Sequence, residues 1–112
     1  MAIDEKKFNI TVECLPEDMR IEGNASAIDD ETDRQIADNI REQLENGNEW
    51  AWCMVRVRAE YKGLRADSYL GGCSYKSRED FMLPGGYFDD MRAEVIADLS
   101  AQIETIADEA RA

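Results

Sequence analysis

Apolar and polar residues alternate from Phe8 to Leu15, with Phe8, Ile10, Val12 and Cys14 on one side and Asn9, Thr11 and Glu13 on the other. A period of two is that of a half-buried strand. Leu15-Pro16-Glu17-Asp18 has proline at the second position of a type I turn, so Met19 to Gly23 (MRIEG) is expected to return as a short second strand. Asp29, Asp30, Glu31, Thr32 and Asp33 then read as a helix start, where side-chain oxygens cap free N–H groups and negative charge meets the helix dipole. That helix is predicted to run to about Asn46. Ile36, Ile40 and Leu44 form its narrow apolar stripe with Ala37 beside them, and Gly47 stands where a C′ glycine belongs.

The longest strand signal, Trp50 to Leu70, folds back at Lys62-Gly63. With these as the two turn residues, Tyr61 faces Leu64, Ala59 faces Ala66, Val57 faces Ser68 and Val55 faces Leu70. The other side then pairs Glu60 with Arg65 and Arg58 with Asp67, and a one-residue slip would destroy both patterns. Gly71-Gly72 predicts a bulge, and Ser77 with Asp80 a capped helical turn that Pro84-Gly85-Gly86 must end. From Tyr87 to Ala110, apolar steps of three and four through Met91, Val95, Leu99 and Ile103 predict a long last helix. The order β-β-α-β-β-α implies an α+β fold: one domain over 1–112, an antiparallel sheet of about four strands, and two helices packed on one face.

Composition changes this picture mainly through charge. The net charge is −12, and residues 1–50 hold 14 acids and 5 bases against 4 and 6 in residues 51–84. An acidic surface repels nucleic acid and anionic membranes and steers the chain toward basic partners. Without an apolar run of membrane-spanning length or a secretory signal at MAIDEKKFNI, and with three cysteines lacking CxxC spacing, a cytoplasmic protein is expected.

Candidate chemistry is sparse. Histidine is absent, which removes Ser-His-Asp and Cys-His machinery. Asp29, Glu31 and Asp33 have the alternate spacing of a calcium loop, but Arg34 stands where its glycine is required and Ile40 where its bidentate glutamate belongs. Cys14 and Cys53 fall on apolar strand faces and read as inert thiols; Cys73, beside two glycines, is expected nearer solvent; the three spacings match no zinc pattern. No catalytic residue, metal or cofactor is expected.

Two binding features remain. Trp50 and Trp52 share the parity of Met54, Arg56 and Arg58, opposite to the core face, and Trp, Met and Arg are enriched at interfaces. The competing reading buries both rings under a neighbouring element. The second feature is the helical carboxylates, Glu31, Asp38, Glu42 and Glu45 on the first helix and Asp89, Asp90 and Glu94 on the last, which can imitate the charge of a nucleic-acid backbone. For any single acid, a solvated helix exterior is the competing reading.

EWAWCMVRV, YLGGCSYKSREDF and GYFDDMRAEVIADL resemble stretches of small uncharacterised proteins encoded by bacteriophages and prophages. The resemblance covers about a third of the chain and carries no functional residue with it. It implies a phage setting, in which small acidic cytoplasmic proteins are often inhibitors of host defence, anti-CRISPR proteins among them. The expectation is therefore a non-enzymatic inhibitor that binds the basic, nucleic-acid-binding surface of a host protein, touching neither nucleic acid nor membrane. The alternative is a homodimer or larger homo-oligomer of structural or accessory role, with the Trp50/Trp52 face as its interface.

Overall fold

A computed structural model describes residues 3–111. Strands β1 (Asn9–Leu15), β2 (Cys53–Tyr61) and β3 (Leu64–Cys73) form one antiparallel sheet in the order β1-β2-β3. Helices α1 (Asp30–Glu45), α2 (Arg78–Phe81) and α3 (Tyr87–Arg111) complete the fold, with single 3-10 turns at Glu5–Lys7 and Glu49–Ala51. No helix among the described residues is long and apolar enough to cross a membrane.

The hairpin register follows from its turn. Lys62 (φ 48°) and Gly63 (φ 82°) are both left-handed, as a two-residue type I′ connection demands. Tyr61 therefore pairs with Leu64, Ala59 with Ala66, Val57 with Ser68 and Val55 with Leu70, as the alternation predicts. The register shifts between Val55 and Cys53, because β3 carries an extra residue where Gly72 (φ 63°) lets the strand bulge.

One sheet face is dry. Helix α3 lies across β2 and β3 and buries Phe88, Met91, Val95 and Leu99 against Val55, Val57 and Ala59, with Val12 of β1 and Phe8 just before it in the same cluster. Phe81 of α2 closes the end, in edge contact with Tyr75. Fully burying a Val, Leu or Phe stabilises by about 1.5–3 kcal/mol, so this cluster is the main source of stability. The other face is solvated and carries cross-strand ion pairs: Arg58 grips Asp67 through two bonds (2.6 and 3.1 Å), and Arg56 reaches Glu13 at 2.7 Å.

The structure corrects three expectations. Three strands form instead of about four, because MRIEG does not pair: the Met19 carbonyl accepts the Trp52 indole N–H at 2.9 Å and the chain bends at Gly23 (φ 83°). The partner place beside β1 goes to β2, with Val12 opposite Val57. Only α3 packs across the sheet; α1 stands off its end against the Glu49–Ala51 turn. Its buried stripe is also rotated, running through Asp33, Ala37 and Ile40 with Leu44 half-buried, while Ile36 stays 38% exposed. The result is a long molecule, 61 × 24 × 23 Å.

Candidate functional site: the acidic helical faces

Helix α1 begins where Asp29 caps it, accepting the Thr32 N–H at 2.7 Å. That bond to the charged form holds the Asp29 carboxyl below its ordinary value. Asn46 and Gly47 (φ 93°) end the helix, as Gly47 in the sequence predicts. Its rotational setting comes from a small second core in which Ile40, Ala51 and Trp52 are buried, with Ile21, Ala25 and Leu44 packed on them.

A polar anchor fixes the same face. Asp33 is only 6% exposed and accepts the backbone N–H groups of Gly23 (2.7 Å), Ala25 (2.8 Å) and Ser26 (3.0 Å). The Gly23, Ser26 and Ala25 bonds hold its carboxyl below the usual aspartate value against the opposing effect of burial. In the sequence Asp33 stands among the helix-start acids. Its position on one stripe with Ala37, Ile40 and Leu44 was the available signal that it faces inward.

With that face turned in, Glu31, Asp38, Glu42 and Glu45 point out. At 3.6 residues per turn the four lie within about 60° of one another along about 21 Å of helix, opposite the buried stripe. All four are exposed. Asp38 is tied to Arg41 at 2.9 Å, while the Glu31, Glu42 and Glu45 carboxylates make no bond among the described residues. The stripe is thus one continuous, mostly unpaired run of negative charge.

Asp89, Asp90 and Glu94 are exposed in the first two turns of α3 but make no comparable stripe. Asp89 accepts the Gly85 N–H at 2.9 Å and so helps start the helix, and Glu94 leans toward the sheet to accept the Ser68 hydroxyl at 3.2 Å. Glu104 and Asp108 carry the acidic exterior of α3 further along.

The two tryptophans pack against other parts of the chain, Trp52 fully and Trp50 in part. Trp52 is 9% exposed and forms the floor under α1; Trp50 is half-buried, its ring 6.0 Å from that of Phe81. The alternation that put them on an open face stops at Cys53, where β2 begins; Trp50 belongs to the preceding 3-10 turn. Cys73 is likewise buried, not solvent-facing, because its side chain points with Cys53 to the helix-covered face. Among the described residues, no group of three or more His, Cys, Asp or Glu is arranged to hold a metal ion. No protein-family model, curated protein or solved structure matches the chain.

Proposed function

We propose that this chain is a non-enzymatic binding protein of phage type that occupies the basic, nucleic-acid-binding surface of a host defence complex, as an anti-CRISPR protein would. The observation that carries the reading is the Glu31-Asp38-Glu42-Glu45 stripe on a helix that adds little to the main core. Helix α1 is held at the end of a 61 Å molecule by Trp52 and Asp33, with Glu31, Asp38, Glu42 and Glu45 exposed. Such a stripe favours a groove lined by Lys and Arg, where association is fast and sensitive to salt. The −12 net charge acts in the same direction at long range, and the host cytoplasm is where such a partner is met.

The acids of α3 would add steering charge, with Asp90 freer to do so than Asp89 or Glu94, which hold local bonds. The homo-oligomer reading has less to support it, since Trp52 packs under α1 and Trp50 is half-buried against Phe81.

The test is capture of partners from a bacterial lysate by the tagged protein, with a Glu31→Gln/Glu42→Gln/Glu45→Gln variant as control. A nucleic-acid-binding protein retained by the wild type in low salt, released in high salt and not held by the variant supports the reading. Equal retention by both chains refutes it.

A further inference from the structure

The three cysteines, far apart in sequence, converge at one end of the sheet on three adjacent strands. Cys14 is on β1 opposite Val55, Cys53 opens β2, and Cys73 closes β3 directly opposite Cys53. All three thiols are free. We propose that Cys14 and Cys53 form a two-coordinate binding site for a soft, thiophilic monovalent cation of the Cu(I) type.

The geometry favours a bridging ion over a disulfide. Cys14 and Cys53 are diagonal neighbours on an antiparallel pair, a relation that sets Cα atoms about 7–8 Å apart. Disulfides seldom span more than about 6.8 Å between Cα atoms. Yet both side chains line one and the same cavity. With metal–sulfur bonds of about 2.3 Å, as in zinc thiolates, a cation between two sulfurs holds them about 4.6 Å apart, which suits the diagonal spacing.

The surroundings suit the same ion. Both thiols line a cavity of about 220 Å³ between the sheet and α1, walled by Leu15, Pro16, Leu44 and Trp52. Its one carboxylate, Glu49, places an oxygen 3.6 Å from the Cys14 sulfur. Two sulfurs in an apolar wall select soft over hard cations, since calcium and magnesium require many oxygen ligands. Binding exchanges the two thiol protons, released to solvent, for one cation, so the loaded pair carries a single negative charge.

The experiment is anaerobic competition of the reduced, full-length chain for Cu(I) held by a coloured bidentate chelator, with folding followed by circular dichroism. The wild type is expected to withdraw one equivalent. Since loss of a supporting partner alone weakens metal sites about 10- to 100-fold, Cys14→Ser and Cys53→Ala should lower affinity by about 100-fold or more, and Cys73→Ala should not. Cys14 is half-exposed, so Cys14→Ser keeps the native spectrum and serves as the deciding variant. No uptake by the wild type, uptake by Cys14→Ser equal to wild type, or an equal loss in Cys73→Ala overturns the site.

Discussion

The two ends of this molecule are held by different physics. Around the sheet, α3 closes a core in which Val55, Val57, Val95 and Leu99 have no exposure at all. Around α1, the buried apolar side chains are Ala37, Ile40, Ala51 and Trp52, and a carboxylate gathering three N–H groups supplies what apolar area does not. Apolar burial resists changes of pH and tolerates small shifts, whereas a buried charge works only while it is ionised and fully bonded. The helix with the exposed acidic stripe is therefore mounted on the weaker, more conditional of the two supports.

Four changes would break or sharpen that contrast. The largest effect is expected from Leu99→Ala, which empties part of the main core and should cost about 3–5 kcal/mol in denaturant unfolding, with sheet and helix signals lost together. Trp52→Ala comes next, at up to about 3 kcal/mol locally, with amide protection lost across α1 while β2 and β3 keep theirs; uniform loss would mean a single cooperative unit.

Acid is the third. The Asp33 carboxyl lies below its ordinary value because N–H groups bond to its charged form. Its contribution is therefore complete above the unfolded value of about 3.9 and vanishes as pH falls through the lower folded value. Asp67 follows the same direction, held down by Arg58, but the strands that carry it keep their apolar face. Protection at Gly23, Ala25 and Ser26 should thus fall below about pH 4 before that of β2, and Asp33→Asn should reproduce the loss at neutral pH with a melting temperature lower by about 5 °C. The smallest effect on stability, within about 0.5 kcal/mol, is expected from Glu31→Gln, Glu42→Gln and Glu45→Gln, because these exposed carboxylates make no bond among the described residues. Partner binding is where those substitutions should be felt.

The contrast also explains what could be read from the sequence. The hairpin was legible to the residue because one register satisfied turn, apolar face and charge pairs together, and the last helix because its period is unbroken from Tyr87 onward. MRIEG failed for the opposite reason. Its alternation is short, and its fate was decided by the Trp52 indole and the Asp33 carboxylate, contacts across 33 and 10 residues that no local pattern reports. Trp50 and Trp52 were assigned to a face by extending strand parity back past Cys53, where the backbone has already left the strand. At the acidic faces, the residue types were visible but not their orientation, since it was the inward turn of Asp33 in place of Ile36 that set which acids point out.

The β2–β3 turn has a consequence for the order in which the chain assembles. Strands joined by Lys62 and Gly63 close the shortest possible loop and can zip within microseconds, whereas β1 must find β2 across everything between Pro16 and Trp52. Closure entropy grows only with the logarithm of that length, so the α1 segment behaves as an insertion that the sheet tolerates, its main contribution to the sheet's core being Trp50 against Phe81. A chain in which a short turn joins Leu15 directly to Cys53 should therefore still form the three-stranded sheet, and form it faster.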